Sequence, residues 1–151
     1  MNDIVFSEVS QEDFSEIYAI EKAAYPIPWS EKTMRSMFMG NEYKIKMTNY
    51  DKIIGYVFVM IVLDEATILN ITVAPEHQGK GLGKCLLRYV KTELEQKKIT
   101  SVFLEVRESN IAALSLYEAE GFHEIDVRKG YYPTVNGREN AIIMACMLMS
   151  W

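Results

Sequence analysis

A glycine-rich run at residues 78–84, QGKGLGK, has the composition of an anion-binding loop. Its glycines leave backbone N–H groups uncovered, and the long amphipathic segment that follows predicts that the run opens a helix. Uncovered N–H groups and the positive end of a helix dipole together favour the binding of a phosphate or pyrophosphate group. The alternative is a strand-to-helix turn whose glycines serve packing alone.

The spacing of the glycines excludes the two most familiar phosphate loops. The dinucleotide-binding fingerprint requires G-x-G-x-x-G, whereas this run reads G-x-G-x-G. The Walker loop requires Ser or Thr after Gly-Lys, but Cys85 follows Lys84, and Gln78 stands where that loop needs its first glycine. What remains is Gln78-x-x-Gly81-x-Gly83 at the start of a helix.

Two ionisable residues farther along the chain lie in predicted apolar elements. SVFLEVR alternates like a strand and places Glu105 on the same face as Phe103 and Arg107. Partial desolvation there would make the carboxylate a better proton acceptor near neutral pH, although an ion pair with Arg107 or with a lysine is the alternative. Tyr117 borders the apolar face of a predicted helix, where a tyrosine is usually a core residue whose hydroxyl reaches the rim.

The hydrophobic pattern around these residues predicts a mixed sheet. Strands come first along the chain and strand–helix–strand–helix–strand follows, so we expect an α/β or α+β fold with a parallel centre. Ser10 and Ser30 are expected to cap the first two helices, and the Asn136–Gly137 pair favours a hairpin turn. The expected strands are DIVFSEV, EYKIKMT, IIGYVFVMIVL, EATILNITV, SVFLEV, HEIDVRKGYY and NAIIMACMLM, and the expected helices are SQEDFSEIYAIEKAAY, a short segment from Ser30, the segment after the glycine run, and NIAALSLYEAEGF.

Length, composition and charge limit the class of protein. With 151 residues, 49% of them hydrophobic, the chain is long enough for one compact domain, and we expect a single domain over residues 1–151. No signal peptide or membrane-spanning run is visible, which predicts a cytoplasmic protein without membrane attachment. A net charge of −5 argues against direct nucleic-acid binding and is compatible with a cationic acceptor. Cys85 and Cys146 lack metal-ligand spacing, so we expect two buried thiols and no disulfide or metal site.

Gln78, Gly81 and Gly83 match the Q/R-x-x-G-x-G/A signature, and the chain resembles the GNAT family of acetyl-CoA-dependent N-acetyltransferases. The segments PWSEKT, LDEAT, LNITV, LEVR, SN, LYEAEGF, YYPT and GRENAIIM follow in the order of the branch that acetylates the N-terminal alanine of a small-subunit ribosomal protein. The resemblance implies the GNAT fold: a mixed, mostly antiparallel seven-stranded sheet with a parallel central pair, flanked by about four helices. Gly79 departs from many relatives, which carry a basic residue there.

The resemblance also implies a site. Acetyl-CoA would be the acetyl donor, with its pantetheine arm along LNITV and its pyrophosphate on the amides from Gln78 to Lys84, and no metal would be required. Glu105 would be the general base, Tyr117 would protonate the departing thiolate, and an N–H group near Val73 would bind the thioester oxygen. The implied cofactor-binding residues are Ile71, Thr72, Val73, Gln78, Gly79, Lys80, Gly81, Leu82, Gly83, Lys84, Asn110 and Tyr117.

The acceptor implied by the resemblance is the N-terminal peptide of a ribosomal protein. The loops YPIPWS and KGYYPTVNGR would lie beside it. Two alternatives remain: a GNAT enzyme that acetylates a lysine side chain or a small amine, and a non-catalytic acetyl-CoA-binding sensor.

Overall fold

The computed structural model describes residues 2–148, and within them the chain forms seven β-strands and four α-helices. Two short 3₁₀ turns, Gln11–Asp13 and Pro75–His77, precede α1 and α3. The strands are β1 (Ile4–Glu8), β2 (Tyr43–Asn49), β3 (Lys52–Val62), β4 (Glu65–Val73), β5 (Ser101–Arg107), β6 (His123–Thr134) and β7 (Gly137–Met147), and the helices are α1 (Phe14–Ala24), α2 (Glu31–Met39), α3 (Leu82–Gln96) and α4 (Ile111–Ala119).

All seven strands belong to one sheet in the order β1-β2-β3-β4-β5-β7-β6. β4 and β5 run parallel, with Glu65 opposite Ser101 and Ile68 opposite Leu104, whereas the β1–β2, β2–β3, β5–β7 and β6–β7 pairs are antiparallel. The predicted mixed sheet with a parallel central pair is therefore confirmed. β3 reads as a continuous apolar run because its residues 53–59 are all buried.

The chain divides into two compact units, and the first comprises the residues up to Met60 together with Asn70–Leu87. This unit contains an aromatic cluster, in which the centre of the Phe58 ring lies within 6.0 Å of the ring centres of Tyr56, Phe38 and Trp29. α1 faces the core with Ile17 and Ile20, but it also buries Glu21.

The second unit comprises Ile61–Leu69 and the residues from Arg88 onward. Its core includes Leu104 on β5 and Phe122, whose ring lies 5.7 Å from that of Tyr117. Gly121 follows the end of α4 at φ +95°, a conformation that favours glycine. The expectation of a single domain over residues 1–151 stays a prediction.

Two details of the sequence analysis need correction. Cys146 is buried as expected, but Cys85 is exposed, because it lies in the first turn of α3 on the side opposite the buried Leu86 and Leu87. The hairpin between β6 and β7 exists, but Thr134 pairs with Gly137, so its two loop residues are 135 and 136 rather than the Asn–Gly pair.

Of the two serines expected to cap the first two helices, Ser30 caps α2 and Ser10 does not cap α1. Ser10 precedes a 3₁₀ turn rather than α1 itself, and its N–H donates to the Asp13 carboxylate at 2.7 Å. The Ser30 hydroxyl accepts the Thr33 N–H at 3.1 Å and caps α2. Within residues 2–148, none of the helices combines the length and the apolar character needed to cross a membrane.

We expect the Ser30→Ala variant to unfold with a free energy lower by about 1 kcal/mol, because the Thr33 N–H loses its acceptor. Ser30→Asp is the matched control, since its carboxylate can accept the same N–H and should retain most of the stability. Urea denaturation of both variants measures the difference. Equal stability of Ser30→Ala and wild type would show that the cap contributes nothing.

Candidate functional site

The loop between β4 and α3 takes its shape from glycines. After the turn Pro75–His77, Gly79 adopts φ +79° and Gly81 adopts φ +80°. Both values lie in the left-handed region that L-residues with side chains avoid. A Cβ atom built at either position would meet nothing within 4 Å, so the space above the backbone is open.

The first turn of α3 presents N–H groups beside this loop. The carbonyl of Gly81 accepts the N–H of Cys85 at 3.2 Å, the first bond of the helix. The N–H groups of Leu82, Gly83 and Lys84 therefore have no helical acceptor. No acidic residue lies in this turn, and Lys80 and Lys84 are exposed nearby. The arrangement has the physical requirements for binding a phosphate group.

Gln78 connects this loop to the end of β4. Its side-chain amide donates to the carbonyl of Val73 at 2.9 Å. Ile71, Thr72 and Val73, the predicted pantetheine segment, are half-buried or buried. The Gln78 side chain thus connects the predicted phosphate loop to the predicted pantetheine segment. The sequence analysis did not predict this hydrogen bond.

The connection between α1 and α2 also contacts the end of β4. The hydroxyl of Tyr25 lies 2.7 Å from the Thr72 hydroxyl and 3.4 Å from the carbonyl of Ile71. The Thr72 hydroxyl in turn donates to the side-chain oxygen of Asn70 at 2.7 Å. YPIPWS, one of the two loops predicted to lie beside the acceptor, is therefore in direct contact with the predicted pantetheine segment.

Glu105 lies on β5 in the second unit, on the half-buried face that the alternation predicts. Its side chain is 28% exposed, and its Oε1 lies 3.9 Å from Nη1 of Arg128. The alternative of an ion pair with Arg107 is not what the structure shows. Arg107 instead donates to the carboxylate of Glu139 at 3.1 Å and to the carbonyl of Pro133 at 2.8 Å.

Tyr132 is a neighbour of Glu105 whose importance the sequence analysis did not recognise. The Arg107 guanidinium lies 4.5 Å from the centre of its ring. Burial, followed by the negative charge of Glu105, raises the pKa of Tyr132 to about 12. The phenol therefore stays protonated at neutral pH and can donate a proton but cannot serve as a base. The sequence could have indicated this proximity only through the pairing of β5 with β7 and of β7 with β6.

The segment before Tyr132 is a β-bulge on β6. The pairing with β7 shifts between Arg128 and Tyr132, and Gly130 adopts φ +58° within the irregular stretch. Asn140 accepts the Gly130 N–H at 2.9 Å, and Arg138 donates to the Gly130 carbonyl at 2.6 Å. KGYYPTVNGR, the other loop predicted beside the acceptor, is thus held by side chains of β7.

Tyr117 and Asn110 both belong to α4. Asn110 is the N-cap, because its side-chain oxygen accepts the Ala113 N–H at 3.2 Å. Tyr117 is buried, with 8% of its surface exposed. Their contacts with a cofactor stay predictions. Within residues 2–148, no group of three or more His, Cys, Asp or Glu side chains is arranged to hold a metal ion.

Comparison with known proteins places this arrangement in a family. The profile of the Acetyltransferase (GNAT) family matches residues 14–122. The chain belongs to the GNAT acetyltransferase family. The predicted family and the predicted enzyme class are therefore confirmed.

Individual relatives are similar over nearly the whole chain. The [ribosomal protein bS18]-alanine N-acetyltransferase of Escherichia coli K12 is 45% identical over 92% of this chain and 94% of its own length. The enzyme of that name from Haemophilus influenzae Rd is 44% identical over 95% of this chain and 99% of its own. The crystal structure of the ribosomal-protein-S18-alanine N-acetyltransferase from Escherichia coli superposes with a TM-score of 0.93 at 41% identity, covering 99% of this chain and 96% of that one. The GNAT fold is thereby confirmed.

We expect acetyl-CoA to raise the melting temperature of the wild type, and the Gly81→Val variant to lose that increase. At a concentration of 100 times Kd, a bound ligand stabilises a fold by about 2.7 kcal/mol. A β-branched side chain at Gly81 would occupy the open space above the loop and distort its left-handed backbone.

Gly130→Val is the matched control, because Gly130 also has a positive φ and open space around its Cβ position but lies on β6. It should be destabilised yet keep the increase caused by acetyl-CoA. A full increase in Gly81→Val, read by differential scanning fluorimetry, would remove the loop from the phosphate-binding site.

Proposed function

We propose that the chain transfers the acetyl group of acetyl-CoA to the N-terminal α-amine of an alanine-starting acceptor, the ribosomal protein bS18. One observation carries the proposal: 45% identity over 92% of this chain to an enzyme whose name states that reaction. The open phosphate loop and the half-buried Glu105 are what such a reaction requires of the chain itself.

Acetyl-CoA binding is assigned to two segments of the first unit and to α4. The N–H groups from Gln78 to Lys84 would hold the pyrophosphate, and their uncovered positions at the helix start support this role. Ile71, Thr72 and Val73 would hold the pantetheine arm and, through an N–H group near Val73, the thioester oxygen. Asn110 and Tyr117 are the proposed cofactor contacts on α4.

The proposed reaction is a direct attack of the neutral amine on the thioester carbonyl. Glu105 accepts the proton that the amine loses, either directly or through water. Tyr117 donates a proton to the sulfur as the carbon–sulfur bond breaks. The products are an acetylated amine and free coenzyme A, and the acetyl group is never attached to the protein.

An α-amine suits a single carboxylate base better than a lysine does. Deprotonation of an α-amine costs roughly 3 kcal/mol less than deprotonation of a lysine, because an α-amine has a pKa near ~8 and a lysine near ~10.4. Glu105 carries out this deprotonation beside Tyr132, which stays protonated and so does not compete for the proton. Arg128, at 3.9 Å, keeps a positive charge near the carboxylate.

We expect a peptide with the N-terminal sequence of bS18, starting with alanine and containing a lysine, to gain one acetyl group at its N-terminus. The same peptide with a blocked N-terminus should gain far less, because the free-base fraction of a lysine amine at neutral pH is roughly 200-fold smaller than that of an α-amine. Tandem mass spectrometry locates the acetyl group. Acetylation of the blocked peptide at the same rate would instead establish a lysine acetyltransferase.

We expect Glu105→Gln to lower kcat by about 10²–10⁴-fold at neutral pH while leaving acetyl-CoA affinity unchanged, because only the proton acceptor is lost. Raising the pH should recover part of the rate, since solvent then supplies the neutral amine. Glu108→Gln, at an exposed position beyond the end of β5, is the control and should have wild-type activity. Calorimetry and steady-state rates separate the two effects, and a wild-type kcat at pH 7 would refute the role of Glu105.

A further inference from the structure

The first unit contains a buried carboxylate that the proposed reaction does not use. Glu21 on α1 is 2% exposed. Its Oε1 accepts hydrogen bonds from the hydroxyl of Tyr56 at 2.5 Å and from the side-chain amide of Asn70 at 2.9 Å. Its Oε2 accepts the backbone N–H of Trp29 at 2.9 Å. Because all three partners donate, Glu21 acts only as an acceptor, which is the role of an ionised carboxylate.

A buried charge of this kind is costly unless every donor is well placed. Burial and the neighbouring charge of Glu21 raise the pKa of Tyr56, so its hydroxyl remains a donor over the physiological range. The carboxylate is therefore paired with neutral donors from β3, from β4 and from the connection between α1 and α2. This arrangement joins three parts of the first unit at one side chain.

On one side, Glu21 fixes the backbone of the α1–α2 connection, residues 25–30. The Trp29 N–H is held by Glu21, and the Trp29 carbonyl accepts the hydroxyl of Tyr18 at 3.0 Å. Tyr18 and Glu21 lie three residues apart on one face of α1. Both polar groups of the Trp29 backbone are thus held by a single helix turn.

On the other side, Glu21 fixes the end of β4. Since a carboxylate only accepts, the Asn70 amide must present its NH₂ group to Glu21 and its oxygen to the Thr72 hydroxyl. The Thr72 oxygen is then the acceptor for Tyr25. Burial raises the pKa of Tyr25, which keeps its hydroxyl protonated as this donor requires. A chain of hydrogen bonds runs from the connection through β4 to Glu21 and back to the connection.

The connection itself has the character of a rigid contact surface. Ile27 is 41% exposed although it is a large apolar side chain, and it lies between Pro26 and Pro28. The prolines fix their backbone angles and leave little freedom to the isoleucine. Under the proposed function, the acceptor amine must reach a thioester held at Ile71–Val73, which the connection contacts through Tyr25.

We propose that Glu21 is a positioning residue for acceptor recognition, which holds the α1–α2 connection against the end of β4 so that Ile27 and its neighbours contact the first residues of the peptide. The inference rests on the proposed function. Glu21 touches neither substrate and acts through Trp29 and Asn70. Because Gln78 also holds the carbonyl of Val73, the effect should fall on the KM for the peptide more than on that for acetyl-CoA.

The Glu21→Gln variant tests this directly, because glutamine has the same shape but carries an NH₂ group. If that group faces Trp29, the Trp29 N–H loses its acceptor. If it faces the other side, it meets the NH₂ group of Asn70, whose reversal would break the bond from Thr72. In either orientation one hydrogen bond of the network that holds the connection is lost.

We expect Glu21→Gln to raise the KM for the alanine-starting peptide by about three- to tenfold, the effect of one or two lost hydrogen bonds, with little change in the KM for acetyl-CoA. Tyr18→Phe removes only the hydroxyl that holds the Trp29 carbonyl and should shift the same KM in the same direction. Tyr56→Phe is the matched control. It removes a donor to the same carboxylate from β3 and leaves the bonds that hold the Trp29 backbone in place, so it should lower the melting temperature and leave the peptide KM unchanged.

A wild-type peptide KM in Glu21→Gln, or an equal increase in Tyr56→Phe, would overturn the inference, since the second result would mean a general structural role. If Glu21→Gln does not fold, Tyr18→Phe provides the test. An increased KM for the peptide supports the inference, and an unchanged KM overturns it. The proposed function is judged separately by the wild type. Failure of the wild type to acetylate the peptide refutes that function, whereas wild-type activity with unchanged KM in the variants refutes only the role of Glu21.

Discussion

The end of β4 depends on hydrogen bonds from side chains outside the sheet. The carbonyl of Val73 accepts from Gln78, and that of Ile71 lies 3.4 Å from the hydroxyl of Tyr25. Gln78 belongs to the loop before α3, and Tyr25 belongs to the connection after α1. One strand end therefore fixes the position of the loop proposed to bind pyrophosphate and of the connection proposed to meet the acceptor. A shift of this strand would move both.

Glu21 and Glu105 show how its surroundings determine whether a carboxylate can act as a base. Glu21 accepts hydrogen bonds from three neutral donors and is 2% exposed, so proton exchange would break an established network. Glu105 has a 28% exposed side chain and a cation at 3.9 Å, beyond hydrogen-bond distance. A substrate amine can approach the second carboxylate without displacing a buried bond. The sequence shows both as glutamates in apolar segments, and only their partners distinguish them.

The sequence predicts the parts of this protein that local rules determine. Strand alternation placed Glu105 on its face, and Ser30 caps α2 as expected. The burial of Glu21 was not predictable in this way, because it depends on which neighbouring elements cover that side of α1. The exposure of Cys85 follows from its position opposite Leu86 and Leu87 on α3, a helical pattern that the sequence analysis did not apply to this residue. Tyr132 became a neighbour of Glu105 through pairing of strands distant along the chain.

Members of one fold differ in acceptor because the segments that meet the acceptor can change while the sheet is conserved. In this chain both candidate segments are held through their backbones by side chains of adjacent elements. Glu21 and Tyr18 hold the backbone of Trp29, and Arg138 and Asn140 hold that of Gly130. Contacts to backbone groups do not depend on the side chains that the held residues carry. Residues such as Ile27 and Tyr131, both exposed, can therefore vary with the acceptor while the loops keep their shape. Fixing the backbone from neighbouring elements thus separates the choice of acceptor from the stability of the fold.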